Sequence, residues 1–474
     1  MTHPSRRSFL ATALAAPAFL RAAQKPTDAR IESVAYSYED FLYRTPIKFG
    51  GNVVDRVTML NVTMTLRSRA GKTAKGFGSM PMGNVWGFPS KVHSYNETLG
   101  AMKALTAKLK PIIAGYQEYG HPLDVAHALT PAYLKAAADV TREQKLKEPF
   151  PKLCTLVTVS PFDAALHDGY GKLHGRSSYQ VLSSEFVSHD LAHYLSPAFA
   201  GEYPDRYVTA KPKPSMPLYH LVGAVDPLTS GDIAKRIGDG LPETLPEWIE
   251  YSGLDHLKIK LNGEDLHWDV NRVLSVERVA GETMRKRKVA RWVYSLDFNE
   301  KCPNVEYLVT CLRKVKEGSA AAYERIQYVE QPTKRDLKAD RGNRMHEAAK
   351  LKPVVIDESL TSLEMLDLAR EMGYSGTALK ACKGQGEALL MGAAAQKYKM
   401  FLCVQDLTCP GASLIHSAGL AAHVPSVAAI ECNSRQYVPV ANKGWEKRFP
   451  GVFDVRNGRV NTGLLDKPGL SAVA

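Results

Sequence analysis

His256-Leu257-Lys258-Ile259-Lys260-Leu261, a helical run over residues 265–289, and then Val293-Tyr294-Ser295-Leu296-Asp297-Phe298 decide the fold. The flanking segments are short and apolar, and the run between them has helical periodicity, so the unit reads strand, helix, strand. The unit recurs. Beyond Pro217, strands are expected at 218–223, 256–261, 293–298, 326–330, 354–357, 378–380 with the residues before it, 401–405 and 427–431. Helical patterns such as 361–372 and 385–399 lie between them. Eight strands with intervening helices predict a closed parallel barrel rather than an open sheet.

Upstream of the barrel the pattern differs. Residues 31–66 are rich in β-branched and aromatic residues, Gly71, Gly76 and Gly78 mark turns, and helices are expected at 95–116, 131–146 and 162–173. This gives an α/β chain: an N-terminal α+β capping domain over 28–150, a helical connection and loop over 151–216, the barrel over 217–431, and a C-terminal segment over 432–474. With 474 residues, 45% hydrophobic, the chain has ample core and is not of a disordered or polytopic membrane class. The net charge of +12 is spread along the chain, and its densest cluster, Arg285-Lys286-Arg287-Lys288, lies on a helical pattern, so no nucleic-acid role is expected. Seven scattered Cys, without a CxxC pair, argue against a zinc site or a disulfide framework.

The carboxyl ends of the strands carry charges. Lys258 and Lys260 stand on the second, Asp297 and Asn299 on the third, Glu330 on the fourth, Asp357 and Glu358 on the fifth, Lys380 and Lys383 on the sixth. Asp406 follows the seventh and Glu431 ends the eighth. Any one of them reads equally well as an ion-pair partner, but catalytic residues of parallel barrels collect at these ends. Asp297, Glu330 and Asp357 are expected to converge on one point as a hard, oxygen-rich site suited to Mg2+. The lysines of the second and sixth strands would flank it from opposite sides.

This series resembles the active site of the enolase superfamily: Lys258-Ile259-Lys260, Asp297-Phe298-Asn299, Glu330-Gln331-Pro332, Asp357-Glu358-Ser359, and Ala378-Leu379-Lys380 with Lys383. Within it, the chain is similar to the muconate lactonizing enzyme subgroup of mandelate racemase/muconate lactonizing enzyme-like proteins. Phe162-Asp163-Ala164-Ala165 through Asp168, and Pro468-Gly469-Leu470, support a match spanning about 57–470. The resemblance implies a modified TIM barrel, (β/α)7β-like, under a capping domain whose mobile loops cover the site. Candidate covers are 38–51 and 80–88, with Phe49, Trp86 and Phe88 over the ligand. It also implies Mg2+ on Asp297, Glu330 and Asp357 and a carboxylate substrate whose α-proton is removed to give an enediolate. Lys260 would be the base, Lys258 its electrostatic tuner, and Lys380 the acid or base on the other face. Two lysines across one carbon allow racemisation or epimerisation.

Asn299, Glu358, Lys383, Asp406 and Glu431 are candidates for substrate contact or for orienting the other groups. Strand eight has no Asp-x-Asp pair, which weighs against dipeptide specificity. Strand seven has no His, which weighs against the mandelate racemase subgroup, and His416 in the following helix reads as structural. A lyase on the same site, a Schiff-base aldolase and a non-catalytic binding protein remain open alternatives. Ser5-Arg6-Arg7-Ser8-Phe9-Leu10 and the small apolar residues after it resemble a twin-arginine signal over 1–23, implying export to the periplasm without stable membrane insertion. The family resemblance also implies a homo-oligomer.

Overall fold

The computed structural model describes residues 25–49 and 52–472, so the arginine-pair leader lies outside the described residues. The capping domain opens with three antiparallel strands in the order β1 (Ala29–Phe49), β2 (Asn52–Ser68), β3 (Thr73–Pro81). Against them pack α1 (Asn84–Gly87), α2 (Tyr95–Ala114), α3 (Pro122–Glu143) and α4 (Lys152–Leu173). Gly76 and Gly78 let β3 lie directly on α4. A Cβ on Gly78 would stand 2.0 Å from the Pro161 carbonyl oxygen, and one on Gly76 1.9 Å from that of Ala165. Gly78→Ala is therefore expected to destabilise the protein by about 3 kcal/mol, the upper end for overpacking, read as a lower urea midpoint at unchanged slope.

Two helices begin earlier than the sequence pattern indicates, at Pro122 rather than 131 and at Lys152 rather than 162, with Pro131 and Pro161 inside them. A proline inside a helix costs about 3 kcal/mol. Burial of Leu123, Val125 and Leu129 in one added stretch, and of Leu153, Cys154 and Val157 in the other, outweighs it. Residues 38–49 of the 38–51 segment expected as a mobile loop form a β-ribbon with β2. Tyr38 pairs with Leu60 and Leu42 with Arg56; after a break in register, Ile47 pairs with Val54. Residues 50–51 and the Phe49 side chain lie outside the described residues.

The barrel follows as expected: β4 (Ser215–Val222), β5 (His256–Lys260), β6 (Val293–Asp297), β7 (Ile326–Glu330), β8 (Val354–Ile356), β9 (Gly376–Leu379), β10 (Phe401–Val404) and β11 (Val427–Glu431). All are parallel, and the β11–β4 pairing closes the ring. A short antiparallel strand, β12 (Arg459–Asn461), flanks β4. The C-terminal segment ties back to the capping domain through Asp168, whose carboxylate accepts the Leu470 N–H at 2.7 Å and the Phe77 N–H at 2.8 Å. Burial pushes its carboxyl up while the Lys172 ammonium, 2.8 Å away, opposes the rise. Among the described residues all seven cysteines are buried and free, and no helix is long and apolar enough to cross a membrane.

Candidate active site

Strand alternation builds the site directly on top of the barrel core. Tyr219, Tyr328, Val355, Ala378, Cys403 and Ala429 form one buried layer inside the ring. Two residues further along each strand, on the same face, come Leu221, Glu330, Asp357, Lys380, Gln405 and Glu431. Lys260, Asp297 and Glu330 stand side by side in the ladder. Every one of the expected site residues is buried, Lys258 at 1% exposure and Asp297 at 0%.

Buried charges at this depth must neutralise one another. Lys258 Nζ lies 3.0 Å from Glu330, 2.8 Å from Glu431 and 3.1 Å from Asp297. Lys260 Nζ pairs with Asp297 and donates to Asn299 Oδ1 at 3.0 Å. Across the mouth, Lys380 and Lys383 bracket Asp357, each 3.1 Å from one of its oxygens. Burial would raise the Asp297 and Asp357 carboxyls, but the lysines beside them hold both below the usual carboxylate range. Burial would likewise discharge Lys258 and Lys380, yet Glu330 and Glu431 around the first and Asp357 beside the second keep both ammoniums charged. Burial and the neighbouring Asp297 push Glu330 upward.

These pairings change two expectations. Among the described residues no group of three His, Cys, Asp or Glu side chains is arranged to share one metal ion. The expected convergence of Asp297, Glu330 and Asp357 is therefore not met, because each buried anion turns to an ammonium. In type and place the donors still fit a hard dication: three carboxylates end consecutive strands, and Asp297 and Glu330 already hold one cationic group, Lys258 Nζ, between them. Second, Glu358 does not orient a lysine. Its Oε1 accepts the Trp86 indole N–H at 2.9 Å, its Oε2 is buried without a partner, and burial with Asp357 nearby pushes its carboxyl up to about 7.

The depressed acids set a pH dependence. An acid whose folded value lies below its ordinary 3.8 stabilises the fold above that value and loses the contribution as pH falls below it. Wild type is thus expected to lose thermal stability between pH 5 and 3 more steeply than Asp357→Asn, as followed by circular dichroism. Equal slopes would show that Asp357 carries no such linkage.

Loops above the ring close the mouth. Asn299, Glu300, Gln331 and Thr408 follow strand ends with positive φ, a conformation held only when the surroundings fix it. The Gln331 carboxamide does so by accepting from the Asp357 N–H at 3.0 Å and donating to Ser359 Oγ at 2.9 Å. Asp406 organises another loop, its carboxylate accepting backbone N–H groups from Thr408, Cys409 and Asn433. Burial and Glu431 push Asp406 up to about 7. From the capping domain, the Trp86 ring lies 4.8 Å from Lys380 Nζ and 5.5 Å from Lys383 Nζ. Arg335 fixes it by donating to the Trp86 carbonyl at 2.9 Å while gripping Glu300. With Ile47 and Leu407 also over the mouth, about 40 Å³ of free space remains, enough for a few waters. Phe88, expected over the ligand, packs instead on Phe150 within the capping domain.

Sequence reasoning missed Gln405, Asn433 and Arg335. Gln405 donates to Glu330 Oε2, and Asn433 Nδ2 donates to Glu431 Oε1 at 3.1 Å. Gln405 was detectable as the inward residue two beyond Cys403. Asn433 and Arg335 lie outside the strands, where alternation gives no signal. His416 is buried without a hydrogen-bond partner on either nitrogen among the described residues, and burial drives its imidazole down to about 3.

Fold and mouth together define a capped parallel β/α barrel with a charged, carboxyl-end site. Residues 241–473, from ahead of β5 onward, match the model of the enolase C-terminal domain-like family. The whole chain is similar in fold to a muconate lactonizing enzyme from Pseudomonas fluorescens complexed with muconolactone. That match has 17% identity and a TM-score of 0.60, over 94% of this chain and 96% of that one. A dipeptide epimerase from Enterococcus faecalis, complexed with Mg and L-Leu-L-Tyr, matches at 15% identity, TM-score 0.60, over 93% and 99%. An enolase from Bradyrhizobium, complexed with magnesium and mandelic acid, matches at 14% identity, TM-score 0.57, over 94% and 96%. No curated protein matches the chain.

Proposed function

We propose that the protein is a Mg2+-dependent isomerase that removes and returns the proton α to a substrate carboxylate. The observation that carries this reading is the pair Lys260 and Lys380, which face one another across the ring and each contact a carboxylate of the Asp297, Glu330, Asp357 series. Asp297, Glu330 and Asp357 would hold Mg2+, which when bound supplies Lewis-acid stabilisation of the charge developing on the substrate carboxylate. Lys260 Nζ takes the proton on one face, and Lys380 Nζ, kept charged by Asp357, delivers one on the other. Asn299 orients Lys260 through its Oδ1, and the Asp406 carbonyl orients Lys380 from 3.0 Å. Trp86 and Ile47 exclude bulk water, which strengthens each electrostatic contact inside. With only about 40 Å³ free, substrate entry requires Ile47 and α1 to move aside.

The test incubates the protein with Mg2+ in D2O with pooled N-acylamino acids, dipeptides, hydroxy acids and acid sugars, reading mass and optical rotation. A gain of one deuterium with loss of rotation is the expected result. Loss of water would move the assignment to a lyase on the same residues. Neither change in any compound would remove the isomerase reading for these substrate classes.

The arginine pair extends the proposal to export. Arg6→Lys with Arg7→Lys is expected to retain the protein in the cytoplasm, and fractionation showing the same periplasmic yield as wild type would refute that. Assembly as a homo-oligomer is also proposed, and light scattering that finds only monomer would remove it.

A further inference from the structure

A second cavity, of about 220 Å³, lies between the capping domain and the barrel, on the far side of Lys383 from the mouth. Its walls are largely apolar, including Leu129, Tyr133, Val159 and Leu390, but two carboxylates line one end. Asp163, 7% exposed, uses Oδ2 to accept the Gly386 N–H at 2.8 Å and leaves Oδ1 buried without a partner. Glu387, in the first turn of the helix Gln385–Lys397, leaves Oε1 buried without a partner too. His167 Nε2, on the same helix, stands 3.7 Å from Asp163 Oδ1 and has no hydrogen-bond partner either. Burial lowers that imidazole, so it brings no charge to the carboxylate at neutral pH.

The neighbouring cations leave this end undersupplied. Lys383 forms part of the wall, but its ammonium donates to the Asp357 carbonyl, Asp357 Oδ1 and the Leu360 carbonyl, which uses its three protons on the barrel side. Lys152 is exposed at the rim. Burial accordingly pushes Glu387 up to about 7, with Lys152 and Lys383 only partly offsetting it. A buried acceptor left unmet costs about 1–3 kcal/mol, so two such acceptors on residues that line one apolar space favour a guest with several donors and an apolar body.

We propose that this cavity binds a protonated primary amine carried on a compact hydrocarbon body, with the ammonium between Asp163 Oδ1 and Glu387 Oε1. The site is separate from the mouth and goes beyond the reaction proposed there. An ammonium offers three donors and a charge, which a water or an alcohol in the same place does not match.

Calorimetric titration of the full chain with benzylamine, against benzyl alcohol as the neutral match, tests it. Saturable one-to-one binding of the amine is expected, at least about 10-fold tighter than the alcohol, weakened about 10-fold or more by Asp163→Asn and by Glu387→Gln. Lys260→Ala, in the other cavity, should leave it unchanged. Should Asp163→Asn fail to fold for want of its Gly386 contact, Glu387→Gln, at a partly exposed position, decides alone. Equal binding of amine and alcohol, no saturable amine binding, or full affinity in Glu387→Gln would each overturn the proposal.

Discussion

Lys260→Ala is expected to slow α-proton exchange by about 10³-fold, within the range that a positioned general base supplies. The side chain ends β5 with its Nζ on Asp297 and Asn299, so alanine removes the amine that would take the proton on that face, without touching the hydrophobic layer below. Lys380→Ala should act differently. Lys380 is the cation that Asp357 keeps charged against burial, and it serves the opposite face. Without it one enantiomer should still exchange its α-hydrogen for deuterium through Lys260, yet fail to invert. Chiral chromatography of substrate recovered from D2O reads both effects at once. Retention of racemisation within about 10-fold in either variant would dismiss the two-base reading. EDTA should abolish the wild-type exchange; if activity survives EDTA and borohydride traps substrate on a lysine, Schiff-base chemistry replaces it.

The legible part of this molecule is what local periodicity encodes. Lys258, Lys260, Asp297 and Glu330 could be assigned to one face and one end of a barrel because alternation puts residues i and i+2 together, and the observed ladder sets Lys260, Asp297 and Glu330 side by side. What failed depends on distant partners. Lys258 was expected to tune Lys260 by repulsion, yet it is enclosed by Glu330 and Glu431, the latter 173 positions away. Nothing in the local sequence of β5 reports that pairing. The helices expected over 131–146 and 162–173 start at or just after a proline, where the local rule sets a boundary; the apolar faces ahead of Pro131 and Pro161 extend them only once α3 and α4 have a sheet to pack on. The ribbon at 38–49 belongs to the same class, since its pairing with β2 is a tertiary fact that glycine-rich, polar sequence near the tip obscures.

Lys258→Met should cost about 3–5 kcal/mol of folding stability, the loss typical when one partner of a buried ion pair is removed. Methionine fills much the same volume, so the loss isolates charge from packing. Glu330, Glu431 and Asp297 all stand within 3.1 Å of the ammonium, and only Asp297 retains another lysine when it is gone. Glu330 and Glu431 would then be buried anions neutralised by no cation they now contact, and each must take up a proton or open the mouth to water. Because the unfolded chain holds those acids at ordinary values, the deficit should shrink as pH falls and protonation replaces the missing charge. Urea titrations at pH 8 and pH 5 check both the size and this trend. The double variant Lys258→Met, Glu431→Gln separates the causes further. If electrostatics is responsible, removing one orphaned anion should restore part of the loss, giving a coupling of at least about 1 kcal/mol. If the two losses simply add, Lys258 supports the barrel through packing, and the charged layer contributes less to folding than its geometry indicates.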